Sequence, residues 1–81
     1  MKPKVTLYTR AGCCLCDDAK RVVLAARDRA DFDYEEVDID SDEKLRRIYN
    51  EEVPVVAINQ KKAFKYRVEL NDFLRRLEAR R

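Results

Sequence analysis

Two strand-like runs on either side of one helical stripe constrain this chain more than any other feature. "KVTLYT" (Lys4–Thr9) is short, β-branched and aromatic, as a strand should be. Beyond Gly12, apolar residues fall at Leu15, Ala19, Val22, Val23 and Ala26, intervals of four, seven, eight and eleven residues from the first. A helix of 3.6 residues per turn puts those positions on one side. "DFDYEEVDID" then reads as a second strand. Strand, helix and strand in close succession demand a right-handed crossover between parallel strands. Within the second run, Phe32 and Tyr34 have the opposite parity to Val37 and Ile39. A bulge, or a late strand start near Tyr34, would reconcile them.

The remainder completes an α/β pattern. Asp40 with Glu43 fits a capping signature for a short helix whose buried side is Leu45, Ile48 and Tyr49. "VPVVAI" (Val53–Ile58) is nearly all apolar, as expected of a strand covered on both faces. Asn59–Lys62 is a polar turn, and "AFKYRV" after it alternates like a strand. Leu70, Phe73, Leu74 and Leu77 mark one face of a last helix, and "EARR" supplies basic residues suited to its C-terminus. The order is β-α-β-α-β-β-α: a four-stranded mixed sheet flanked by helices, with the final hairpin as an antiparallel edge. Eighty-one residues make one domain, 1–81.

Charge removes several function classes. Lys and Arg number 18 against 16 Asp and Glu, and the two signs are interspersed, so neither nucleic acid nor membrane is an expected partner. No run approaches the roughly 20 apolar residues that cross a bilayer, and "MKPKVTLYT" lacks a signal-type apolar stretch. The expected location is cytoplasmic, where thiols are kept reduced.

In that setting the segment "TRAGCCLCDDAK" stands out. It holds all three cysteines of a chain with no histidine. An odd, clustered set is no framework for structural disulfides. Cys13 and Cys16 have Cys-x-x-Cys spacing at a strand-to-helix junction. Cys13 then meets the open N–H groups and positive dipole of a helix N-terminus, which favour a thiolate. Cys16, in the first turn, is close enough to attack a mixed disulfide formed on Cys13. Other readings weigh less. Structural zinc usually takes four Cys or His ligands, more than this chain offers. A metal or iron–sulfur cluster shared across a dimer avoids that shortage, and cysteine as inert apolar filler rarely clusters in a loop. Cys14 is either a dispensable exposed neighbour or a third thiol that traps side-disulfides or ligates metal. Asp17 and Asp18 suit the start of a helix, although their charge also opposes a thiolate; Arg10 is the nearest compensating cation.

At these residues the chain resembles a glutaredoxin. "YTRAGCCLCDDAK" is similar to the family's strand end and dithiol loop, "YEEVDID" to its second strand, and "EVPVVAI" to its Val-Pro segment; the match runs from Lys4 to Leu77. The resemblance implies the thioredoxin fold, dithiol–disulfide exchange, and a cis bond before Pro54, which would lie against the dithiol. Such a bond would turn Val53 outward, so that its N–H and C=O could pair with a peptide or with glutathione. Arg10 matches a basic position that contacts glutathione in the family. Glutaredoxins usually carry Gly-Gly and then an acidic residue after the last strand. Here "KYRVELNDF" has no glycine, and bulky Tyr66, Arg67 and Val68 occupy the region. Glu52 stands where threonine is common, and Cys14-Leu15 replaces the usual Pro-Tyr. The chain is therefore most similar to the small glutaredoxin-like proteins without the Gly-Gly glutathione motif.

The expectation is a monomeric oxidoreductase that reduces protein or glutathione mixed disulfides. Cys13 attacks and Cys16 resolves, while Arg10, Leu15, Val53 and Pro54 form the substrate surface. No bound cofactor or metal is expected. Electrons would come from glutathione or a thioredoxin-reductase-type flavoenzyme, and a disulfide-containing protein is the preferred substrate. The alternatives are a dimeric iron–sulfur or metal-binding module, and a redox-inactive adaptor.

Overall fold

The computed structural model describes residues 2–50 and 52–79. Its elements are β1 (Lys4–Thr9), α1 (Cys14–Ala26), β2 (Asp33–Asp38), a 3-10 turn (Ile39–Ser41), α2 (Glu43–Tyr49), β3 (Val55–Ile58), β4 (Lys61–Lys65) and α3 (Leu70–Ala79). The expected β-α-β-α-β-β-α order stands, with one 3-10 turn added. The strands form a single sheet in the order β2-β1-β3-β4. β1 and β2 are parallel, and the other two pairs are antiparallel.

Alternation along the central strands decides where the core lies. Val5 pairs with Ile58 and Leu7 with Val56, so these four side chains share one face. They are buried there with Ala19, Val23 and Ala26 of α1, Phe73 and Leu77 of α3, and Phe32. Phe32 meets Phe73 edge-on, with ring centroids 5.7 Å apart. Tyr8 points the other way and stacks on Tyr49 of α2 at 4.6 Å. Both faces are thus covered, which is why every residue of β3 is buried.

Several boundaries depart from the sequence expectation. β2 pairs with β1 residue for residue, so no bulge is needed. Phe32 lies just before the strand and Ile39 just after it, and both bury themselves from outside the sheet. The short helix is capped by Asp42, whose Oδ1 accepts from the Lys44 N–H at 2.8 Å, not by Asp40. The 3-10 turn, Ile39–Ser41, has taken up Asp40 and Ser41. Of the expected buried side, Leu45 and Tyr49 are only half-buried and Ile48 is 59% exposed. Once Tyr49 stacks on Tyr8, Ile48 is left at the rim.

β4 begins two residues early and stops before Tyr66. The turn is only Asn59-Gln60, both with left-handed φ (53° and 69°), the conformation that closes a two-residue hairpin. The register between β3 and β4 shifts at Val56/Ala57, leaving Ala63 as an extra residue. Ala63 and Phe64 consequently both pack on the core, and strict alternation is lost. Arg80 and Arg81 of "EARR" lie outside the described residues.

Folding also sorts the interspersed charges. Asp33–Ser41 carries five carboxylates and no cation, and Lys61–Arg67 carries four cations and no carboxylate. These segments hold opposite edges of the sheet.

Candidate functional site

The strand register brings three chain segments to one end of the sheet. Tyr8 at the end of β1 pairs with Val55 at the start of β3, and Val55 pairs with Lys65 at the end of β4. The loop into α1, the Val53-Pro54 segment and Tyr66 therefore emerge side by side. The α1 loop turns at Gly12, whose φ is +75°. An added Cβ there would meet nothing within 4 Å, so backbone conformation alone asks for glycine.

Cys13 follows in an extended conformation and caps α1. Its Sγ accepts a hydrogen bond from the Cys16 N–H at 3.2 Å, the place a serine or aspartate oxygen takes at other helix starts. The Cys13 and Cys16 sulfurs are at disulfide distance, on Cα atoms 5.2 Å apart. Exposure differs sharply across the cluster. Cys13 is half-buried, Cys16 is buried, and Cys14, the first residue of the helix, is exposed with a free thiol. Cys13 is thus the more accessible member of the pair. Asp17 occupies the first turn, and Asp18 pairs with Arg21 at 3.3 Å.

Arg10 is committed elsewhere. Its guanidinium bonds both carboxylate oxygens of Asp40, and Nη1 donates to the Asn50 backbone carbonyl (3.1 Å) and to Asn50 Oδ1 (2.9 Å). Asp40 therefore anchors Arg10 and does not cap α2, and Asn50 shares that task. The parallel register was the available signal: Thr9 faces Asp38, so Arg10 must pass close to the exit of β2.

The Val53–Pro54 peptide is cis, as the resemblance implied. Pro54 is buried and Val53 half-buried. Val53 departs from expectation in one respect: its N–H donates to the Tyr49 carbonyl at 3.2 Å, so it does not present two open pairing groups. The Pro54 carbonyl accepts from the Tyr66 N–H at 2.9 Å. Glu52 is paired with Lys62, and that hydrogen bond holds its carboxyl below the usual carboxylate range.

Tyr66 is the residue that sequence reasoning undervalued. It stands where the resemblance anticipates glycines, and its φ of 66° is a glycine-like conformation carrying a phenol ring. On one side the ring joins Leu15, Ala19, Val22 and Val68 around a cleft of about 130 Å³. Leu15, between the two cysteines in sequence, contributes to this cleft. On the other side lies a wider, open cleft. Among the described residues, no group of three or more His, Cys, Asp or Glu is arranged to hold a metal ion. No described helix is long and apolar enough to cross a membrane.

Comparison with known proteins matches this geometry. Residues 4–78 fit the family model "Glutaredoxin-like domain (DUF836)". A glutaredoxin-like protein of Dictyostelium discoideum, the YDR286C homolog, is 34% identical over 71 residues, covering 80% of this chain; the chain spans 66% of that relative's length. Two solved structures are similar throughout. Protein Ne2328 of Nitrosomonas europaea has TM-score 0.81 and 28% identity, covering 95% of this chain and 93% of its own. Protein XcR50 of X. campestris has TM-score 0.78 and 29% identity, covering 93% and 96%. A thioredoxin of Halobacterium salinarum, at 16% identity and TM-score 0.70 over 96% of this chain and 74% of its own, shares the thioredoxin fold.

Proposed function

This chain belongs to the glutaredoxin-like domain family, and from that membership we propose that it is a thiol–disulfide oxidoreductase working through Cys13 and Cys16. The observation that carries the reading is the asymmetry of the pair: a half-buried cysteine whose sulfur accepts the Cys16 N–H at a helix N-terminus, next to a buried partner. The N–H and the helix dipole favour the anion on Cys13, and the thiolate is the form that attacks.

The cycle balances as follows. The Cys13 thiolate attacks one sulfur of a substrate disulfide; the substrate S–S bond breaks, and the departing thiolate takes a proton from water. The Cys16 thiol loses a proton, attacks Cys13 Sγ and releases the second substrate thiol, forming the Cys13–Cys16 disulfide. The substrate gains two electrons and two protons. Glutathione or a thioredoxin-reductase-type enzyme restores the dithiol. Both thiols sit on one chain, so a single copy suffices.

A protein disulfide suits the site better than glutathione. Arg10 is spent on Asp40 and Asn50, the Val53 N–H is engaged, and Tyr66 fills the space that glycines would leave open.

The test is a titration of the chain in glutathione redox buffers, with mass spectrometry identifying the joined sulfurs, alongside turnover of bis(2-hydroxyethyl) disulfide. A Cys13–Cys16 bond that forms reversibly, with turnover of the small disulfide, is the expected result. A dithiol that never joins across the accessible range sinks the reading.

A further inference from the structure

Two large apolar side chains stand exposed beside the dithiol end of the sheet, and disulfide exchange alone gives them no task. Ile48 is 59% and Tyr66 43% exposed. Both line one open cleft of about 340 Å³ with Arg47, Asn50, Glu52 and Lys65. Because Tyr66 also walls the cleft that holds Leu15, a segment lying across its ring reaches from the dithiol helix to the end of α2.

The charge around that path is mainly positive; Asp18, which also lines the Leu15 cleft, is matched by Arg21, and Glu43 of α2 by Arg47. α2 carries three cations to one carboxylate, and Lys61–Arg67 carries four to none. Glu52, the carboxylate of the cleft, is already matched by Lys62. Lys65 Nζ lies 5.5 Å from the centre of the Tyr66 ring, so apolar and cationic contacts are offered at the same spot.

The geometry points to a substrate class, resting on the dithiol reading above: an extended protein segment with acidic side chains and an apolar residue next to its disulfide cysteine, seated on the Ile48–Tyr66 cleft. The apolar residue covers Ile48 and Tyr66, and the carboxylates face Lys65 and Arg47, the latter shared with Glu43. Opposite charge speeds encounter and selects against basic partners. A nucleic acid would satisfy the cations but leave Ile48 without a counterpart.

The experiment is an NMR titration of the full chain, reduced, with a cysteine-free peptide of Asp and Glu around a central Leu. A second titration uses the same peptide with Lys in place of every acid. The acidic peptide should shift the amides of Ile48, Lys65 and Tyr66, and the lysine peptide should bind roughly tenfold more weakly. Arg47→Glu combined with Lys65→Glu should reverse that preference. Equal binding of the two peptides, or shifts centred away from this cleft, overturns the assignment. So does single-stranded DNA binding as tightly at the same amides. Concentration-dependent shifts at these amides without peptide overturn it too, because the occupant would then be a second copy. The peptide has no cysteine, so this result is independent of whether bis(2-hydroxyethyl) disulfide is turned over.

Discussion

Arg10 and Asp40 are joined by two hydrogen bonds, from Nη2 to Oδ1 at 2.8 Å and from Nε to Oδ2 at 3.3 Å. The pair ties the exit of β1 to the 3-10 turn after β2, and both side chains remain partly exposed. A bidentate, partly exposed pair contributes about 1 kcal/mol. Asp40→Asn should lose about that much in urea unfolding, Arg10→Ala more because it also gives up the two bonds to Asn50, and the double variant little more than Arg10→Ala alone. If Arg10 contacts substrate instead, kcat/KM falls in Arg10→Ala while Asp40→Asn retains it.

The three cysteines should separate cleanly. Cys13→Ser should abolish disulfide reduction. Cys16→Ser should attack but not resolve, so a mixed disulfide on Cys13 accumulates and is visible by mass spectrometry. Cys14→Ser should retain activity, because the exposed thiol belongs to neither step. Equal loss from Cys13→Ser and Cys14→Ser would reassign the nucleophile.

Tyr34 sets an alkaline limit on stability. Its hydroxyl is enclosed without a hydrogen-bond partner among the described residues. Burial, then the charge of Glu36, push its pKa up to about 12 from 10.0. The folded state therefore keeps the phenol neutral at a pH where the unfolded chain already ionises it. Stability from this group is complete below pH 10 and is lost as pH rises toward 12. Tyr34→Phe should flatten that slope in urea midpoints measured from pH 9 upward. It should also gain about 1 kcal/mol at neutral pH by removing an unsatisfied hydroxyl.

Gly12→Ala should cost about 1 kcal/mol, since an L side chain is disfavoured at a φ of +75°. Nothing crowds the position, so Gly12→Asn, which tolerates that conformation better, should recover part of the loss. A cost equal for both would mean that the side chain itself meets an obstacle.

Most of the fold was legible because each element advertises its own period. The stripe from Leu15 to Ala26 and the unbroken apolar run of β3 needed no tertiary information. What escaped depended on partners distant in sequence. Ile48 belongs to the helix's apolar set, yet the Tyr8–Tyr49 stack decides which side of α2 faces the sheet. The bulge at Ala63 exists only in relation to β3. At the site, Cys13 and Cys16 were readable from spacing and position alone. The engagement of Arg10 and of the Val53 N–H was not, since Asp40, Asn50 and Tyr49 reach them only through the folded topology.

The bulged, lysine-bearing strand β4 and the carboxylate-bearing strand β2 are the two open margins of the sheet. An unpaired margin is where one molecule can template another into a growing ribbon. Here Lys4 and Lys20 are drawn onto Glu35 and Glu36 of β2, and the irregular pleat at Ala63 interrupts the straight ladder that such a ribbon needs. The bulge that sends both Ala63 and Phe64 toward the core therefore also blunts the β4 edge as a template.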